Sequence, residues 1–160
     1  MTPTLIEWFD KYSESHKNKT NKMVHFICVP LIFFSLLGLL SLVSINLENV
    51  SGIKMHLRIS FAYLLILPAF AFYLKHSISL FIGLALFTMA CLFIINAINE
   101  QTFFPAWTVF GFIFLVAWIG QFIGHKHEGK KPSFLTDIVF LLIGPAWILS
   151  FIYRKMKIKF

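Results

Sequence analysis

Charge is scarce in this chain. Only 13% of its 160 residues are Asp, Glu, Lys or Arg, against about a quarter in soluble domains. That shortage excludes a disordered chain, a soluble repeat array and an ordinary soluble domain. Its two cysteines, Cys28 and Cys91, lie far apart inside apolar runs. They read as small buried hydrophobes and exclude a disulfide scaffold or a zinc framework. No repeat, low-complexity stretch or polar linker divides the sequence, so residues 1–160 are expected to form a single membrane-embedded domain. What is abundant is apolar: hydrophobic residues make up 58%, with 20 Phe, gathered into long runs.

The runs have membrane dimensions. After a polar start, Met23 to Ile45 can cross a hydrocarbon layer of about 30 Å at about 1.5 Å per residue. It is too long for a signal peptide, and Ser41-Leu42-Val43-Ser44 is no cleavage site. Leu57 to Leu74 follows with Pro68 inside it, then Ser77 to Ile98 and Phe103 to Gly124. The connections are short, so neighbouring spans should pack antiparallel. Phe134 to Tyr153 carries Asp137 near its start and Gly144-Pro145 at its middle. The expected fold is all-α: a multi-pass membrane helical bundle of four spans plus a fifth segment that re-enters or spans.

Net charge is +7, from 14 basic against 7 acidic residues. A basic chain can bind nucleic acid, but here Lys and Arg crowd the ends of the apolar runs. They face headgroups of a lipid bilayer instead, and no nucleic-acid partner is expected. With the N-terminus inside, the inner side collects the N-terminal lysines, Lys75, Lys126, Lys130 and Lys131, against Lys54 and Arg58 outside. The basic tail Arg154 to Lys159 also belongs inside, which favours a re-entrant or interfacial fifth segment. This topology puts His16, His25, His76, His125 and His127 at one surface and His56 at the other. Five histidines at one face make a candidate metal site. The expected location is a bacterial inner membrane with the site on the cytoplasmic face, or the endoplasmic reticulum in a eukaryote.

The first constellation is Tyr12-x3-His16-x4-Asn21-x3-His25-x2-Cys28-x-Pro30. On one straight helix, His16 and His25 would face opposite ways. Asn18-Lys19-Thr20-Asn21 offers cap residues, and a break there would let His16 fold back towards His25. Asn21 and His25, four apart, share a face, so a carboxamide could steer an imidazole. Spacing alone leaves His16 open between a ligand and a solvated residue on an amphipathic lead-in helix.

The second is Trp118-x2-Gln121-Phe122-Ile123-Gly124-His125-Lys126-His127-Glu128-Gly129-Lys130-Lys131-Pro132. His125 and Glu128 are three apart, so one turn can offer both to a single ion. Gln121, four before His125, can orient its second ring nitrogen. His127 points elsewhere. The lysines serve either as positive-inside anchors or as anion-binding groups. Glu100 reads as a solvated charge on the far side, and His76 as a turn residue. Imidazole with carboxylate suits zinc or non-haem iron. The histidines are too few for a di-iron histidine-box enzyme, so one metal is expected.

At these two constellations the chain resembles the membrane-embedded 2-hydroxy fatty acid dioxygenases of sphingoid-base breakdown, long catalogued as a domain of unknown function. Tyr12 to Pro30 is similar to that family's N-terminal histidine motif. Gln121 to His125, followed by an acidic residue, a basic pair and Pro132, is similar to its C-terminal one, and Asp137 and Gly144-Pro145 continue the pattern. The likeness covers nearly the whole chain in length and hydropathy and is specific in the two motifs. Cys28 stands where the family often has Gly. Glu128 stands one residue earlier, relative to the histidine, than the glutamate of many members. The resemblance therefore carries a ligand role to His125 more directly than to Glu128.

The resemblance implies Fe(2+), O2 and α-oxidation of a long-chain 2-hydroxy fatty acid to the acid one carbon shorter, with release of CO2. On that reading His16, His25 and His125 hold the iron and form the catalytic centre, with Glu128 as a further ligand. Asn21 and Gln121 support them, and Lys131 and Lys22 attract the substrate carboxylate. The competing class is a non-catalytic membrane metal-binding or assembly protein. A conduit would carry ionisable groups in mid-span, and these spans carry almost none. Polar chemistry confined to one surface favours an interfacial enzyme acting on a lipid.

Overall fold

Asn18 breaks the polar start of the chain into two helices. Its side-chain oxygen accepts from Thr20 N at 2.8 Å and Asn21 N at 3.3 Å, satisfying donors that a helix start would otherwise leave orphaned. In the computed structural model, which describes residues 5–14, 16–47, 57–101, 103–129 and 134–160, this cap separates α1 (Leu5–Glu14) from α2 (Lys19–Ser41). A short antiparallel hairpin follows, β1 (Ser44–Leu47) with β2 (Leu57–Ser60), in register Ser44 to Ser60. Then come α3 (Tyr63–His76), α4 (Ile78–Glu100), α5 (Ala106–Glu128) and α6 (Phe134–Lys155).

Among the described residues, α2, α4 and α5, of 23 residues each, are long and apolar enough to cross a membrane. The stretch Leu57 to Leu74, expected as a crossing, is divided between β2 and α3. α3 has 14 residues and reaches about 21 Å, short of a hydrocarbon layer. The chain is thus helical, as expected, with the hairpin added. Ser-Ile-Asn-Leu and Leu-Arg-Ile-Ser alternate apolar with polar at period two, which is a strand pattern. The long apolar runs beside them conceal it.

α2 and α5 form the tightest pair and run antiparallel: Asn21 lies by Gly124, Cys28 by Gly120 and Gly38 by Phe110. Lipid is as apolar as the helix surfaces, so association rests on close packing, which small residues permit. Gly120 and Gly124 sit one turn apart and let α2 approach to near contact. A Cβ on Gly120 would stand 2.6 Å from Cys28 Sγ. Both cysteines are free and buried.

α6 is continuous through Pro145, and its described half gathers α1, α2 and α4 at one end of the bundle. Trp147 Nε1 donates to Ser13 Oγ at 2.9 Å, and Phe26 packs on Trp147 and Phe151. Tyr153 OH donates to Ser79 O at 2.8 Å. Leu5, Phe9, Tyr12, Val29, Leu80, Leu84, Ala146 and Trp147 form the buried core there. Lys157 closes α6 at φ 58. The Lys157 and Ile158 amides return to the Arg154 and Tyr153 carbonyls at 3.2 and 2.9 Å, a Schellman stop without glycine.

Candidate metal centre

The break at Asn18 returns His16 to the first turns of α2, and the antiparallel pairing brings the last turns of α5 to the same place. His16, His25 and His125 converge there, their ligating nitrogens all within 4.8 Å of one another. They are 2%, 1% and 7% exposed. Three imidazoles this deeply buried are costly unless they serve one another or an ion. The rings meet edge to face, His16 to His25 at 4.1 Å, His25 to His125 at 4.9 Å and His16 to His125 at 5.6 Å between centroids.

Two backbone carbonyls set the orientation. His16 Nδ1 donates to Tyr12 O at 2.6 Å, and His25 Nδ1 donates to Asn21 O at 2.9 Å. With the proton held at Nδ1, each lone pair lies on Nε2. His16 Nε2 is buried and has no hydrogen-bond partner among the described residues. A buried, correctly tautomerised nitrogen facing two other imidazoles suits a borderline metal such as zinc or ferrous iron. The residues fit a metal ion.

Aromatic walls close the site. Tyr12 stacks on His16 at 4.2 Å with 10° between planes. Trp147 lies 5.5 Å from His16 and 4.9 Å from Tyr12. Burial pushes the His16 pKa down to about 4, partly offset by its bond to the Tyr12 carbonyl.

The other expected residues sort as follows. Asn21 is fully buried and steers His25 through its backbone carbonyl, while its Nδ2 donates to Glu128 Oε2 at 3.1 Å. Gln121 is buried one turn before His125. Glu128 is outside the three-histidine group. Its oxygens also accept from Lys17 N at 2.9 Å and Asn18 N at 2.8 Å. Lys22 is half-buried in the first turn of α2, close enough to bear on the charge of His16.

Lys131 and His56 lie outside the described residues. His76 bonds Phe72 O at 2.7 Å and stacks on Phe72, and His127 is exposed. Glu100 is exposed and accepts from Asn96 at 2.7 Å. Trp147 is the residue sequence reasoning missed. Its signal was an aromatic placed two residues beyond Gly144-Pro145 in an apolar helix with no other polar purpose.

The family model described as 2-hydroxy-palmitic acid dioxygenase Mpo1-like matches residues 3–156. No curated protein and no solved structure matches the chain.

Proposed function

The chain belongs to the Mpo1-like family, and we propose that it is an iron-dependent dioxygenase that converts a long-chain 2-hydroxy fatty acid to the acid one carbon shorter. The observation that carries this reading is the buried trio His16, His25 and His125, with ligating atoms within 4.8 Å. These three would hold Fe(2+). When bound, the ion would supply Lewis-acid and O2-activating chemistry at this site.

The chain's own residues supply the rest. The Tyr12 and Asn21 carbonyls hold the His16 and His25 rings with Nε2 inward. Tyr12 and Trp147 exclude water from the His16 side, which strengthens every polar contact within. Lys22 and Lys131 attract the substrate carboxylate. The acyl tail leaves towards the Phe-rich helices and the bilayer.

In the membrane, α2, α4 and α5 cross. α3 returns the chain from the hairpin at the far surface to the histidine end, and α6 lies along that end as an interfacial segment. The contacts of Trp147 with α1 and of Tyr153 with the start of α4 support that placement. The histidine end, rich in Lys and Arg, is the cytoplasmic one.

The test is to purify the chain in detergent, measure bound iron, and supply carboxyl-labelled 2-hydroxypalmitate with ferrous iron and O2. Labelled CO2 and pentadecanoic acid in equal amounts are expected. Metal bound one to one with no turnover on any 2-hydroxy acid would overturn the enzyme and favour a metal-binding or assembly protein.

A further inference from the structure

We propose that Glu128 is the positioning residue of the histidine centre, clamping the segment that carries His16 onto the helix end that carries His125. The inference rests on the metal-centre reading above. It assigns Glu128 a place beside the ion's ligands, not among them.

Glu128 stands three residues after His125 on α5. Its Oε1 accepts from Lys17 N at 2.9 Å, the residue next to His16. Its Oε2 accepts from Asn18 N at 2.8 Å and from Asn21 Nδ2 at 3.1 Å. Asn21 in turn supplies the carbonyl that holds His25 Nδ1 at 2.9 Å. One carboxylate on the last turn of α5 therefore touches the neighbour of His16 and the support of His25. Bonds to an ionised acceptor are the stronger kind.

His16 needs such a tether. It sits in the break between α1 and α2, where its own amide makes one turn bond, to Ser13 O at 3.0 Å. Tyr12 and Trp147 fix the ring from one side, and the Lys17 and Asn18 amides tie the backbone across to α5. Lys17 and Asn18 are exposed, so without the carboxylate their amides would turn to water at small cost. Losing the clamp thus frees the His16 segment before metal binds more than it destabilises the fold, and the bound ion draws the three histidines into the same arrangement. A ligand freed in this way is felt in metal affinity, where loss of a supporting contact commonly costs about 10–100-fold.

The full chain in detergent is titrated with Co(II) alone and with Zn(II) alone, comparing wild type with Glu128→Gln, Glu128→Asp and Asn21→Ala. Expected for Glu128→Gln is one metal per chain, an unchanged Co(II) visible spectrum, and a Kd raised about 10–100-fold. In the metal-free variant the Lys17 and Asn18 amides exchange with solvent at least about tenfold faster, as loss of a local hydrogen bond requires. Glu128→Asp and Asn21→Ala, which keep part of the clamp, shift both readings less; they replace Glu128→Gln should it fail to fold.

A Co(II) spectrum altered in Glu128→Gln would make Glu128 a ligand and overturn the proposal. Unchanged affinity with unchanged exchange would also overturn it. Wild type that takes up no metal defeats the metal-centre reading itself, and amide exchange in Glu128→Gln then decides the clamp separately.

Discussion

Gly124 lies against Asn21 so closely that a Cβ at position 124 would stand 2.5 Å from Asn21 Oδ1 and 3.5 Å from His25 Cε1. The glycine is therefore part of the site: it lets the turn of α5 before His125 settle onto the turn of α2 before His25. Gly124→Ala should force Asn21 aside and prise the helices apart. Overpacking of this kind commonly costs about 1–3 kcal/mol. The expected outcome is a folded protein of lower thermal stability with clearly weaker Zn(II) binding. A variant that binds Zn(II) as tightly as wild type would show that the close approach is unnecessary for the site.

Trp147 makes the same argument from the other side. It is 2% exposed, packs on Tyr12 and His16, and donates to Ser13. Trp147→Ala should cost about 3–5 kcal/mol through the cavity it leaves. Trp147→Phe keeps a ring against His16 and loses the indole donor, so about 1–2 kcal/mol is expected. Unfolding in detergent at increasing denaturant checks the order. Equal losses in the two variants would mean that the hydrogen bond to Ser13, and not the packing, holds α6 in place.

Most of the site was legible before the structure. The cap residues Asn18 to Asn21 allowed a break that turns His16 back, though spacing left His16 open between a ligand and a solvated residue. Short connections foretold an antiparallel bundle able to bring His125 beside His25. Helical spacing was right to group Asn21 with His25, yet could not tell a carboxamide from a carbonyl as the steering atom. The i, i+3 step placed Glu128 with His125 on one turn. Which way its carboxylate reaches depends on the neighbouring turn, which periodicity does not encode. Leu57 to Leu74 misled because hydropathy counts apolar residues and ignores period. Its first four residues pair in a strand, leaving α3 short. Trp147 stood two residues beyond Gly144-Pro145, but that it covers His16 was not readable, since this depends on how α6 lies across the histidine end.

Separation of the histidines gives a further expectation. His125→Ala should abolish one-to-one Zn(II) binding, because it removes one of three converging nitrogens. His127→Ala and His76→Ala should leave it intact: His127 is exposed, and His76 is held by Phe72 on its own helix. Isothermal titration on the three variants decides. Loss of binding in His76→Ala comparable to that in His125→Ala would mean that the centre recruits a residue from α3.

Acid should weaken both the fold and its hold on metal, and the sign follows from His16. Burial holds its pKa at about 4 in the folded chain against 6.5 when exposed. Above pH 6.5 both states carry the neutral ring, and stability does not depend on this group. As pH falls from about 6.5 to about 4, the unfolded chain takes up a proton that the fold refuses, so stability drops across that window. The full loss, reached below about pH 4, is about 3 kcal/mol at roughly 1.4 kcal/mol per unit. A bound ion requires the same neutral ring, so metal is lost in the same direction, and with three histidines the loss is steeper than a single titration. The measurement is thermal unfolding of the metal-free chain between pH 7.5 and 4.5, repeated with His16→Gln, whose side chain does not titrate. Wild type should lose stability with acid, and the variant should show a distinctly shallower slope. A wild-type chain that gains stability as the histidines charge, or a variant with the same slope, would place the acid-sensitive group elsewhere.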